Sequence, residues 1–97
     1  MNGRRIADGS SIDAVTEPGD YLLLPSREAI WCMLPNGVVN RIPVTESAHY
    51  AGSDVRWQMT EHEDGTITVS PSINLHPTPG MHDGWHGFLE RGVWRSV

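Results

Sequence analysis

Three of the five histidines, His76, His82 and His86, fall close together in LHPTPGMHDGWHGFLERGVW, residues 75–94, beside Asp83 and Trp85. Imidazole and carboxylate are the side chains that bind zinc or move protons near neutral pH, so chemistry is sought here first. His82 and His86 stand at i and i+4, the spacing at which a helix offers two ligands to one ion. Gly80, Gly84 and Gly87 interrupt that stretch, and glycine at such density opposes a helix. In an extended chain the two imidazoles would lie about 13 Å apart, too far for a single ion. A turn at Gly84 could still carry Asp83 to His86, with His76 arriving across the loop. That would make an Asp-His-His zinc site with a position open to water, suited to a structural metal or a metal-dependent hydrolase. The glycines favour the plainer expectation, a surface loop in which His86 opens a strand and faces Ser96.

Other nucleophiles are scarce. Ser70 and Ser72 flank Pro71 without the glycines of a nucleophile elbow, and a proline within a strand belongs at an edge or bulge. Ser-Pro-Ser is therefore expected to end or bend the sheet. Cys32 alternates with Ile30 and Leu34, which makes it a core thiol rather than a reactive one. His62, on a polar strand face, and His49, in a featureless segment, are assigned to solvent. The glycines do not form a dinucleotide fingerprint, because no strand-then-helix context accompanies them.

Composition narrows the function further. Twelve acids face seven arginines and no lysine, a net charge of −5, so the clustered positive charge of a nucleic-acid surface is missing. One cysteine excludes an intrachain disulfide and fits a reducing compartment. No apolar run approaches a membrane span, and MNGRRIADGSSIDAV lacks the hydrophobic stretch of a signal peptide. The expectation is a soluble, intracellular protein with neither nucleic acid nor membrane as partner. The 97 residues fit a single domain, with residues 1–16 as a flexible or partly ordered arm.

The elements that must position these residues are strands. In RWQMTEHEDGTITVSPSI, residues 56–73, apolar Trp57, Met59, Ile67, Val69 and Ile73 alternate with polar side chains, the period of a half-buried strand. A two-residue Asp64-Gly65 loop would set Met59 against Ser70. A three-residue loop sets Met59 against Val69 and Thr60 against Thr68, keeping the faces pure. The same plan fits Pro35-Asn36-Gly37, with Leu34 facing Val38, and Glu90-Arg91-Gly92, with Phe88 facing Trp94. PGDYLLLP adds a strand between Gly19 and Pro25, and SSIDAVTE, residues 10–17, could form one helical turn. The fold expected is all-β: a compact single-domain β-sandwich or partly open barrel of six or seven short antiparallel strands, built from three hairpins with three-residue Gly-ended loops.

At HEDGTITVSPSI and WHGFLERGVW the chain resembles small proteins of unknown function encoded by phages of mycobacteria and related actinobacteria, best over residues 57–97. It is more distantly similar to a bacterial and phage family of uncharacterised domains. That family carries a Cys-Pro-Cys-Gly-Cys-Gly turn, a Trp strand, a Ser-Pro-Ser-Ile segment and a Cys-x-x-His before a terminal hairpin. The resemblance implies a thiolate-rich zinc site. Here Cys32, Gly37, Trp57, Ser70 to Ile73 and His86 match, while Leu34, Asn36 and Asp83 stand where cysteines would be. A leucine cannot coordinate a metal, so the resemblance implies a degenerate site with Cys32, Asp83 and His86 as neighbours and no metal or other cofactor retained.

The function expected from these observations is a non-catalytic, phage-encoded accessory protein. It would bind a host or phage protein in the host cytoplasm, in host takeover or anti-defence, through Met81, His82, Trp85 and Trp94. Aromatic and Met side chains in exposed loops commonly anchor interfaces, although core packing is the competing assignment for Trp94. The alternatives are the zinc protein or hydrolase built on His76, Asp83 and His86, and a minor virion or assembly component. A short exposed edge strand would also permit a homo-oligomer.

Overall fold

The structure is a computed structural model that describes residues 1–45 and 57–97. His49 lies outside the described residues. Among those described, the strands are β1 (Arg4–Arg5), β2 (Asp20–Leu23), β3 (Ala29–Met33), β4 (Val39–Thr45), β5 (Trp57–Glu61), β6 (Ile67–Leu75), β7 (Trp85–Glu90) and β8 (Val93–Ser96). One 3-10 turn, Ile12–Ala14, falls within SSIDAVTE. The strands form a single curled sheet, neighbours following chain order from β1 to β8. The all-β class and compact shape are as expected, but the count of six or seven is one or two short of the eight among the described residues and the pairing is not uniformly antiparallel. β1 runs parallel to β2, and β4 parallel to β5. A strand of two arginines has no hydrophobic alternation, so periodicity has nothing to detect there.

Two of the three predicted hairpin registers hold. Met59 pairs with Val69 and Thr60 with Thr68, while Gly65 takes a left-handed φ of 85°. The Leu34 N–H donates to the Val38 carbonyl at 2.9 Å across the turn that ends at Gly37. The third register is corrected. Leu89 pairs with Trp94 and Phe88 with Arg95, so the loop has two residues, Arg91 and Gly92, both at positive φ. That is the backbone of a type I′ turn, whose twist matches the strands it joins. Leu89 and Trp94 are both buried, and only this register turns both inward. For the same reason Gly87, not His86, faces Ser96.

The main core gathers Tyr21, Leu23, Ile30, Cys32, Ile42, Met59, Ile67, Val69, Ile73, Leu89 and Trp94, among others, inside the curl of the sheet. A second cluster, Ile6, Val15 and Leu22, lies on the other face of β2 and is packed by Trp31 and Met33. All four residues of β2 are therefore buried, because the segment before it covers the strand's second face. The first residues also tie the ends of the sheet together. The Met1 and Gly3 backbone bonds to Trp94 and Gly92, and Arg4 and Ile6 then bond to Gly19 and Tyr21.

Asp20 anchors that crossing. Its carboxylate is 2% exposed and accepts Nε and Nη2 of Arg4 at 2.9 and 2.7 Å, and the N–H groups of Thr16 and Glu17 at 3.1 and 3.0 Å. The Arg4 hydrogen bonds hold the carboxyl below the usual carboxylate range, against the opposing effect of burial. A depressed folded-state value means stabilisation that is complete above the unfolded carboxylate range and lost as pH falls through the folded one. Asp20→Ala is expected to cost about 1.5–3 kcal/mol at neutral pH, since it removes four hydrogen bonds to a buried charged carboxylate. Thermal melts across an acid series should show a smaller loss on acidification in the variant than in the parent.

Candidate active site

Pro71 has no N–H to give a ladder, and β6 accommodates it by bulging. Val69 pairs with Leu89 and the next ladder pair is Ile73 with Gly87, so Ser70, Pro71 and Ser72 stand against Phe88 alone. The Ser70–Pro71 peptide is cis. Ser-Pro-Ser thus bends the strand without ending it. The bulge carbonyl of Ser72 accepts Nε1–H of Trp57 from β5 at 3.0 Å. Beyond the bulge, alternation resumes: Ile73 enters the core, and half-buried Ser72 and exposed Asn74 take the outer face.

On β7, Leu89 and Gly87 point inward, which sends His86 and Phe88 outward. His86 pairs directly with Asn74 and is the diagonal neighbour of Ser72, within reach of a long side chain. Ser72 Oγ and His86 Nε2 are 3.0 Å apart, and with Nε2 unprotonated the hydroxyl donates to it. The histidine from the opening motif therefore has a partner, but it is a hydroxyl from the next strand rather than an ion.

A second imidazole–hydroxyl contact differs from this one in what else its hydroxyl binds. His62 Nε2 and Thr68 Oγ1 are 2.6 Å apart, yet Thr68 Oγ1 also accepts the Arg91 backbone N–H at 3.0 Å. That oxygen is committed to holding the β7–β8 turn. Ser72 Oγ has no such second bond among the described residues, and it sits on a bulge, where strand irregularity commonly re-aims a functional side chain. Among the described residues no carboxylate completes a triad with His86. The pair is a serine–histidine dyad.

The remaining sequence candidates do not converge. His76, Asp83 and Met81 are exposed in the loop between β6 and β7, Met81 at 80%. His82 is half-buried, and its Nδ1 accepts the Gly84 N–H at 3.0 Å. Among the described residues no three His, Cys, Asp or Glu side chains lie where they could hold a metal ion. Cys32 is fully buried, its Sγ donating to the Asn40 carbonyl, and burial pushes the thiol up to about 12. Such a thiol is neither nucleophile nor ready ligand. The implied neighbourhood survives only in outline: Asn36 Nδ2 donates to the Gly84 carbonyl at 3.2 Å, so the CMLPNG turn does meet the histidine loop. Trp94, named as a contact residue, is instead core at 2% exposed. Trp85 packs its edge on Trp94 and donates Nε1–H to Ser96 Oγ.

The loop itself forms an open pocket of about 410 Å³ lined by Pro77, Pro79, Gly80, Met81, His82 and Asp83. It begins directly beyond the Leu75–Trp85 pair, one step along the ladder from Asn74–His86. Gly87, next to His86 on β7, faces into the sheet. A Cβ there would meet the Arg95 carbonyl oxygen and come within 2.6 and 2.7 Å of the Trp85 ring, which covers the glycine. Gly87→Ala is expected to lower stability by about 1–3 kcal/mol through overpacking, read as a lower melting temperature.

Among the described residues no helix is long and apolar enough to cross a membrane. A model of the family described as bacterial ubiquitination-like system serine protease (BubE) matches residues 10–97. No curated protein and no solved structure matches the chain. The family finding corrects the expectation of a non-catalytic module. Ser72 lacks the glycines of an elbow, but a hydroxyl can also be presented by a bulge and met by a histidine across the ladder. The residues that carry the earlier resemblance, Ser-Pro-Ser-Ile and His86, are the ones that build the dyad. With residues 10–97 matched, the chain belongs to the bacterial ubiquitination-like system serine protease (BubE) family.

Proposed function

We propose that this protein is a serine peptidase in which Ser72 is the nucleophile and His86 its general base. The observation that carries the reading is the 3.0 Å contact between Ser72 Oγ and His86 Nε2, on a bulge open to solvent, in a chain of a family described as serine proteases. His86 takes the hydroxyl proton as Oγ attacks the scissile carbonyl carbon, then gives it to the leaving amine as the C–N bond breaks. Water, deprotonated by the same imidazole, releases the acyl group and regenerates Ser72. Trp57 holds the carbonyl of Ser72 and so fixes the bulge from which Oγ projects.

The family description points to peptide or isopeptide bonds within a bacterial ubiquitin-like conjugation system as the substrate class. A dyad on the outer face of a small domain suits a protein substrate, which could not enter a deep cleft. The resemblance to actinobacteriophage proteins supports, as part of this proposal, an activity in the host cytoplasm on host or phage protein conjugates.

A fluorophosphonate probe, which phosphonylates activated serines, tests the assignment. Peptide mapping by mass spectrometry is expected to find the label on Ser72 and to find none in Ser72→Ala. A label on another serine, or equal labelling of the variant, would remove Ser72 from the mechanism.

A further inference from the structure

We infer that Asn74 is a catalytic residue of the same site, its side-chain amide donating to the oxyanion that forms when Ser72 attacks a carbonyl. The inference rests on the serine peptidase reading above. Attack moves the carbonyl π electrons onto oxygen while the Ser72 proton passes to His86, and the negative oxygen needs a donor that is already in place. When the intermediate collapses, the C=O bond reforms, the C–N bond breaks and the amide releases an ordinary carbonyl.

Three observations single out Asn74. It is the direct cross-strand partner of His86. It also lies two residues beyond Ser72 on the same strand, so the pleat puts Ser72, Asn74 and His86 on one outer face, with Ile73 between them buried at 1%. Cross-strand pairing and the pleat therefore make Ser72, Asn74 and His86 neighbours on that face. The Asn74 amide is exposed and has no hydrogen-bond partner among the described residues, so nothing diverts its N–H groups from an incoming oxygen.

Three other side-chain N–H donors near the dyad are committed, and Gln58, exposed on β5, faces Ser70 rather than His86. Trp57 Nε1 donates to the Ser72 carbonyl and Trp85 Nε1 to Ser96 Oγ. Arg95 pairs with Glu90 and lies over the Phe88 ring, its guanidinium carbon 5.7 Å from the centroid. Among the described residues, Asn74 is the side-chain amide paired directly with His86. An exposed asparagine within a strand, where its propensity is poor, has little structural reason to be there.

The test uses the full chain and two probes, the fluorophosphonate and p-nitrophenyl acetate. Asn74→Ala is expected to slow phosphonylation of Ser72 and the kcat for the ester by about 100-fold, with KM little changed. Asn74→Asp, of equal size but without a donor, should lose at least as much, and Asn74→Gln should recover part of the rate. Melting temperatures should stay close to the parent's, because the side chain is exposed. Labelling of Asn74→Ala at the parental rate, or a loss confined to KM, would overturn the role of Asn74 while leaving Ser72 and His86 in place. A parent protein that does not label, or a Ser72→Ala protein that does, would remove both readings together.

Discussion

Ser72→Ala is expected to reduce hydrolysis at least about 1,000-fold, with His86→Ala falling by a similar factor and the double variant no further. The two side chains act as one unit. Without the imidazole the hydroxyl has no acceptor for its proton, and without the hydroxyl the imidazole has nothing to activate. Independent contributions would instead multiply, so the double variant separates a dyad from two unrelated contacts. The measurement is initial rate on a peptide-linked fusion to a ubiquitin-like protein, backed by the ester substrate. Both side chains sit on the outer face, His86 exposed and Ser72 half-buried, so neither variant should lower the melting temperature by more than a few degrees. Parental activity in Ser72→Ala would eliminate the mechanism.

The largest effect on stability is expected from Trp94→Ala, at about 3–5 kcal/mol. Trp94 is 2% exposed and meets Tyr21 and Trp85 edge-on, with centroids 6.4 and 5.7 Å away. Its Nε1–H donates to the Gly19 carbonyl at 2.9 Å, and its backbone exchanges bonds with Met1 at the start of the chain. Removing the indole opens a cavity where β2, β7, β8 and the N-terminal segment meet, and leaves the Gly19 carbonyl without that donor. For a domain of this size each kcal/mol is about 4–8 °C of melting temperature, so a fall of about 15–30 °C is expected by calorimetry. Trp94→Phe restores most of the volume but not the N–H, and should recover more than half of that loss. A fall of only a few degrees for Trp94→Ala would show that the core closes without the indole.

These two residues illustrate what alternation along a strand reveals and where it stops. Met59 opposite Val69 and Leu34 opposite Val38 were readable because hydrophobic residues on a two-residue period admit only one register that keeps the faces apart. Buried Cys32 followed from the same parity. The β7–β8 turn escaped, since Arg91 at positive φ is not a residue that announces a type I′ loop, and the error of one residue moved Trp94 from Phe88 to Leu89. Four buried residues in β2 escaped as well, because the second covering layer comes from elsewhere in the chain.

The candidate site marks the same boundary. Local chemistry determined that the glycine-rich stretch around His82 and His86 would not be a helix, and that Ser-Pro-Ser would distort a strand. Whether Ser72 and His86 meet depends on how β6 and β7 slide past each other, and that was decided by a bulge opposite Phe88 that no nearby residue type dictates. Strand pairing is a long-range contact set by the whole core, in which Ile73, Gly87 and Leu89 must all face inward together. Side chains fourteen positions apart were brought to 3.0 Å by that requirement, and only the assembled sheet contains it.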